Sequence, residues 1–350
     1  LAALTTAACQ KENFGDATPA GQEVDVTLDL LAPQIGTKSY GDGTTAKTVY
    51  VHVYQRNAAG DLTYIQPATE GASLKTPSQS LTLNGRKATY STRLVTGQTY
   101  TFVFWAQADN APYKYNTEAK TITVDYASAA GNDESRDAFY NVLPNVKIEG
   151  AYTASVQLSR PFAQLNFGAA DYEEAKAAGL TVTDATVKLT HAATSLNLLD
   201  GTTAGDVTVT FASAALPADP NAILTAGGKN YNYVAMDYVL VGKAAKTAKT
   251  LSDVTLTLTA TGTQSATPKF TYSNVPLQAN YRTNIVGNLF TSPAEVNITV
   301  DPAFDTPDYD VVVGAANLAA ANDAFAKGAT AVTVEEIVSG DPDVIVLPKT

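Results

Sequence analysis

The chain has 350 residues, which points to about two domains, and its 45 % hydrophobic content is enough to build cores and too high for disorder. Charged residues make up only 16 %, so Thr, Ser, Asn and Gln carry the polar surface, a composition that favours strands. A net charge of −11 repels a phosphate backbone and excludes nucleic acid as a partner. Two His and one Cys exclude zinc-finger and disulfide scaffolds, and no run of 18 apolar residues marks a membrane-spanning helix.

The first nine residues, Leu1-Ala2-Ala3-Leu4-Thr5-Thr6-Ala7-Ala8-Cys9, place small residues before a cysteine. Residues 1–9 read as the end of a lipoprotein signal peptide that resembles a lipobox, with Cys9 as the lipidated N-terminus. The alternative is a cysteine without special role. Gln10-Lys11-Glu12 resembles a short signal that sends lipoproteins to the outer face of the outer membrane. Residues 10–23, with Gly15, Pro19 and Gly21, read as a flexible tether.

From residue 24 a period of two dominates. Val24, Val26, Leu28 and Leu30 share one face, and Val49-Val51-Val53 alternate with Tyr50-His52-Tyr54. Tyr100-Phe102-Phe104 alternate with Thr101-Val103-Trp105, and Val207-Val209-Phe211, Val254-Leu256-Leu258 and Val296-Ile298-Val300 repeat the pattern. Each predicts a strand with one face on a core and one in water. Turn clusters at Gly41-Asp42-Gly43, Asn57 to Asp61, Asn84-Gly85, Thr96-Gly97 and Ala260 to Gln264 separate them, which predicts tandem antiparallel sandwiches, 24–150 and 151–308. Helical signals are few: one turn near Asp133 to Phe139, and a short helix ending at Gly179 with Asp171 as N-cap. Pro161 suits the start of an edge strand, and Phe162, Gln164 and Asn166 give that strand an amide face opposite Ala163, Leu165 and Phe167. Residues 309–350 read as a small α/β tail or the start of a further module, with a helix over Ala315 to Lys327 and a β-like piece over Asp343 to Leu347.

Catalytic patterns do not emerge. There is no Gly-x-Ser-x-Gly elbow, no Walker A motif and no dinucleotide-binding glycine fingerprint. His52 reads as a partly exposed face residue, His191 as a hydrogen-bonded core or edge histidine, and Trp105 as packed. Asp301, Asp305, Asp308 and Asp310 concentrate charge, but Pro302 and Pro307 suit an extended linker better than a calcium loop. The expectation is no enzyme, no metal and no cofactor.

Several strings together carry a resemblance. They are Ile35 to Gly43, Val103 to Gln107, Asn132 to Phe139, Arg160 to Gly168, Glu173 to Gly179, Ser273 to Pro276 and Asn280 to Gly287. In this order, across residues 24 to 305, the chain resembles fimbrillin-like surface lipoproteins of Bacteroidales type, relatives of the type V pilus subunits. The resemblance implies tandem transthyretin-like β-sandwiches and a fimbrial subunit at the outer membrane. Such a subunit partners like or related subunits by donor-strand exchange and serves adhesion. It further implies that the strand of Val24, Val26, Leu28 and Leu30 is a removable plug, freed by a protease cutting at Lys38. A neighbour's donor strand, Val311-Val312-Val313 or Asp343 to Leu347, would replace it. The alternatives are a permanent first strand in a monomeric surface lipoprotein that binds glycan or host protein, and a stalk for an enzyme domain beyond residue 350.

Overall fold

The computed structural model describes residues 20–33, 40–66, 78–217, 222–226, 228–243, 250–262, 268–290 and 296–301, together with a short parallel pair at 314–315 and 333–334. The described residues are almost entirely strands.

In chain order the first ten are β1 (Glu23–Leu31), β2 (Thr48–Arg56), β3 (Leu62–Tyr64), β4 (Gln79–Thr82), β5 (Lys87–Val95), β6 (Thr99–Gln107), β7 (Tyr113–Asn116), β8 (Thr121–Val124), β9 (Phe139–Lys147) and β10 (Tyr152–Gln157). One sheet runs β10-β1-β5 and the facing sheet β3-β2-β6-β9, with β4 also on β2. Alternation explains their packing: Val26, Leu28 and Leu30 point inward, fully buried against Val49, Val51, Val53, Phe102 and Phe104.

The next strands are β11 (Phe162–Ala169), β12 (Leu180–Ala192), β13 (Ser195–Asn197), β14 (Thr203–Ala204), β15 (Val207–Ala215), β16 (Ile223–Ala226), β17 (Lys229–Leu240), β18 (Thr250–Gly262), β19 (Lys269–Leu277), β20 (Arg282–Gly287) and β21 (Val296–Asp301). They form the sheets β16-β17-β11-β20-β21 and β15-β12-β18-β19, closed over a second core of Leu165, Phe167, Val187, Leu189, Leu256 and Ile285. A small sheet, β14-β13-β8-β7, joins strands from both halves of the chain.

The two sandwiches repeat one connectivity. β1 lies between β5, antiparallel, and β10, parallel; β11 lies in the same way between β17 and β20. The facing sheets correspond too, β2-β6-β9 to β12-β18-β19. Each sandwich thus closes by laying its last inner strand parallel to its first.

Several expectations change. Two sheets, β10-β1-β5 and β16-β17-β11-β20-β21, are mixed because both closures are parallel, while the sheets facing them are wholly antiparallel as expected. β10, beyond the boundary expected near residue 150, pairs with β1, so the repeat turns over between Gln157 and Phe162. Pro161 does not open an edge strand: β11 is the middle strand of five, and the Pro161 carbonyl accepts N–H bonds from Val241 and Gly242. β6 has no water-facing side, since Phe102 and Phe104 fill one core while Val103 and Trp105 fill another. Ile298 is 39 % exposed on terminal strand β21 rather than core-facing, and Val207 is 37 % exposed at the start of β15. The helix α1 (Tyr172–Ala177) forms as expected and Gly179 follows it at φ 85°. Asp171 stands at its N-cap without capping it, and accepts the Phe290 N–H instead at 2.9 Å. Ala315, expected to begin the tail helix, instead pairs with Val334 in the short parallel strand pair, and residues 316–327 with the aspartates 305, 308 and 310 lie outside the described residues.

The inward face of β1 predicts a sharp contrast. Leu28→Ala should cost about 2–5 kcal/mol of unfolding free energy, whereas Thr27→Ala on the outward face should stay within about 0.5 kcal/mol. Denaturant midpoints of the two variants check this.

Candidate functional site

Two places in the fold carry functional interest. The first is β1. It is paired along its whole length with β5, from Glu23 opposite Val95 to Leu31 opposite Lys87, and with β10 from Val26 opposite Tyr152 onward. Val26, Leu28 and Leu30 are fully buried, while Val24 is half-buried. Outward Asp29 accepts a bond from Thr89 Oγ1 at 2.9 Å, and Arg93 lies 3.5 Å from Glu23 and 3.6 Å from Asp25. These exposed ion pairs add little. The strand is therefore held by its main chain and three apolar side chains. Cys9, Lys38, Val311, Val312, Val313 and the segment Asp343 to Leu347 lie outside the described residues.

The second place is the junction between the sandwiches, where the sequence strings converge. Its centre is an ion pair with both side chains fully buried: Arg160 donates from Nε to Asp137 Oδ1 at 2.6 Å and from Nη2 to Asp137 Oδ2 at 2.7 Å. Burial alone would lower the guanidinium's pKa, but the carboxylate beside it raises it on balance. Arg160 Nη2 also donates to the Gly41 carbonyl at 2.8 Å, and its guanidinium lies 4.5 Å from the Phe139 ring centre. The Arg160 N–H donates to Asn280 Oδ1 at 3.1 Å, and the Asn280 N–H returns to the Phe162 carbonyl at 3.0 Å.

The turn Asn132 to Asp137 shapes this pocket. Asp133 caps the 3-10 turn Glu134–Arg136 by accepting the Ser135 N–H at 3.0 Å. Asn132, at φ 62°, accepts the Met236 N–H on Oδ1 at 2.9 Å and donates its own N–H to the Met236 carbonyl at 2.8 Å. Glu134 extends to the Gly41 N–H, 3.0 Å from Oε2, and Tyr238 Oη donates to its Oε1 at 3.0 Å. Gly41 and Gly43 both have positive φ, 76° and 77°. A Cβ on Gly43 would fall 2.9 Å from the Pro33 carbonyl, so that turn needs glycine for space as well.

The amide face expected on β11 is present: Asn166 Nδ2 donates to Asn284 Oδ1 on β20 at 2.8 Å, and both side chains are fully buried. Asp237 is also buried, with its carboxyl pushed well up by burial. Trp105 is packed and donates to Gln107 Oε1 at 2.8 Å. His52 is half-buried, stacked on Tyr115 at 3.6 Å between ring centres, and burial lowers its pKa to about 4. His191 departs from expectation. It sits on β12, an inner strand of its sheet, with its side chain 57 % exposed at φ 60°, and pairs with Asp206 at 3.1 Å. The φ value turns its side chain out of phase with Val187 and Leu189.

Sequence reasoning named Gly41, Asp133 to Asp137 and Arg160 within strings but did not join them. The available signal was charge set two residues before buried aromatics, Asp137 before Phe139 and Arg160 before Phe162. Chemically the arrangement positions and clamps; among the described residues no cluster of His, Cys, Asp or Glu could hold a metal ion.

Breaking the ion pair from one side should be costly. Asp137→Ala leaves the Arg160 guanidinium buried and uncompensated, which costs about 3–5 kcal/mol. The double variant Asp137→Leu with Arg160→Met should recover most of that loss, as read from thermal or urea unfolding of the three proteins.

The described fold is similar to the tip fimbrial protein Mfa3 from Porphyromonas gingivalis with C-terminal truncation, at 10 % identity and a TM-score of 0.44, covering 80 % of this chain and 99 % of that one. It is similar also to a fimbrial assembly protein from Parabacteroides distasonis, at 14 % identity and a TM-score of 0.40, covering 80 % of this chain and 100 % of that one. No curated protein matches the sequence. The model of DUF6562, a family of unknown function, matches residues 17–335, and the chain belongs to that family.

Proposed function

We propose that the chain is a fimbria-like surface lipoprotein, anchored in the outer membrane through Cys9. It assembles with like or related subunits by exchange of β1 and serves adhesion. The observation that carries this reading is the contrast between the two equivalent strands. β11 is buried at all eight of its residues and is bound to its neighbours through amide side chains. β1 exposes an outer face and buries three side chains in a groove between β5 and β10. A cut between β1 and β2 leaves every later strand covalently continuous, and Lys38 lies in that interval. Each vacated large side chain would uncover roughly 1.5–3 kcal/mol of burial, so the groove must be refilled. A donor with alternate apolar residues fits it through main-chain pairing, and Val311-Val312-Val313 and Asp343 to Leu347 are this chain's candidates.

One observation favours a second reading. β1 is paired on both sides, over nine residue pairs with β5 and six with β10, as a permanent strand would be. The protein would then be a monomeric surface lipoprotein that binds glycan or host protein.

Trypsin treatment followed by N-terminal sequencing separates the two. Under the first reading a cut after Lys38 yields ladders on gels, and Lys38→Gln abolishes them; a cut protein that stays monomeric favours the second. The anchor is checked apart from this. A tagged fatty acid should label the wild type and not Cys9→Ala, and equal labelling of both would remove the lipid from the proposal.

A further inference from the structure

The chain from Ala129 to Asn132 is stitched onto one side of the second sandwich. Ala212 on β15 donates its N–H to the Ala129 carbonyl at 2.8 Å and accepts the Gly131 N–H at 3.2 Å. Asn132 then accepts the Met236 N–H of β17 and donates from Nδ2 to the Ala215 carbonyl at 3.0 Å. β15 and β17 belong to the two facing sheets, so these four residues form a seam between them.

Asp237 stands inside that seam. On β17, Met236 and Tyr238 face the junction, whereas Ala235 and Val239 point into the second core. Alternation gives Asp237 the phase of the latter pair, opposite Leu165 of β11. Its side chain is buried, with the residue 2 % exposed, yet neither Oδ1 nor Oδ2 has a hydrogen-bond partner among the described residues. Arg136 acts on Asp237 only as a positive neighbour. Its Nη1 donates to the Asp125 carbonyl at 3.0 Å, Nε lies 3.3 Å from Asp133, and the guanidinium lies over the Tyr126 ring. A carboxyl group buried without partners is costly, and native folds meet such groups with protein donors or ordered water.

Glycine at 131 leaves room beside this carboxyl. A Cβ there would lie 3.8 Å from Asp237 Oδ1, 3.9 Å from the Ala212 carbonyl oxygen and 3.3 Å from Ala214 Cβ. Gly131 has no positive φ, so the missing side chain serves space and not backbone conformation. The Ala212 carbonyl gives one lone pair to the Gly131 N–H and keeps a second.

We propose that Asp237 holds an ordered water molecule beside Gly131, which bridges Oδ1 to the free lone pair of the Ala212 carbonyl. Water suits both forms of the acid. It donates to both oxygens when Asp237 is ionised, and accepts the acid's proton while donating to Ala212 when it is not. A cation does not suit the site, since one carboxyl and one carbonyl fall well short of the roughly six to eight oxygens of a calcium site. The bridge ties β15 to β17 beside the Asn132 clamp, and so supports the turn that carries Asp137 from the side of the second sandwich. It is independent of the fate of β1.

Two measurements on the full chain test the site. With carbon-13 at the alanine methyls, Ala214 should show an NOE to water of the sign given by long-lived bound water, opposite to that of surface water. The signal should vanish in Gly131→Ala, which keeps the acid and fills the gap. The second measurement is a cycle of unfolding equilibria. Gly131→Ala presses on Ala214 with or without the water, so its cost is compared between the wild type and Asp237→Leu. It should raise the unfolding equilibrium constant by on the order of tenfold more in the wild type, where it strands a buried carboxyl. An NOE that is absent, that has the surface sign or that persists in Gly131→Ala would overturn the proposal, as would equal costs in the two backgrounds. The NOE needs no change at Asp237, so it decides even where Asp237→Leu fails to fold.

Discussion

The bidentate ion pair of Asp137 and Arg160 is the interaction on which the arrangement of the two sandwiches rests. Apolar contact between the sandwiches is non-directional, whereas a guanidinium fork accepts its partner in one geometry. The desolvation of both ions is repaid only when the remaining donors are met as well. That requires the start of β11, the turn of Asp133 to Asp137 and the peptide at Gly41 to be in place together. The ion pair therefore fixes the relation of the sandwiches more than it adds to their stability.

Repeating one connectivity twice produced strands with opposite properties. β1 and β11 hold the same position, between an antiparallel and a parallel neighbour. What differs is the second face. The outward face of β11 carries Phe162, Gln164 and Asn166 against the junction, whereas that of β1 carries Asp25, Thr27 and Asp29. Context, not topology, buries one strand on both faces and leaves the other with an exposed outer face.

Much of this was legible in the sequence wherever a period of two coincided with one buried face. The inward sets of β1, β2 and β18 could be read residue by residue, as could the turn glycines at 41 and 43. Reading failed where a second layer covers the strand. β6 alternates aromatic with apolar residues, and alternation alone cannot say that both faces are buried. The parallel closures escaped because strand order is not encoded locally, and Pro161 misled because its missing N–H suits a strand's first position in the middle of a sheet as well as at an edge. His191 escaped because a positive φ breaks the phase that its neighbours set. The junction was legible only as strings. Its partners Asp137 and Arg160 lie 23 positions apart, Gly41 and Arg160 119 apart, and no spacing rule links them.

Three separate cores explain how a strand could leave without loss of the whole. Val26, Leu28 and Leu30 contribute only to the core between the first two sheets. The junction core draws on the other face of β6, through Val103 and Trp105, and on Tyr140, Phe162 and Tyr238. The second sandwich closes over a third. β2, β6 and β9 are the strands common to the first core and the junction, since Val53 and Phe139 lie in one and Tyr54 and Tyr140 in the other. Opening the β1 groove therefore exposes one side of β6 while the junction continues to hold its other side. Cooperative units divided in this way let a local opening proceed at less than the global unfolding cost. An exchangeable strand needs that separation, because a subunit that unfolded its junction on losing β1 would have no formed groove left to offer a donor.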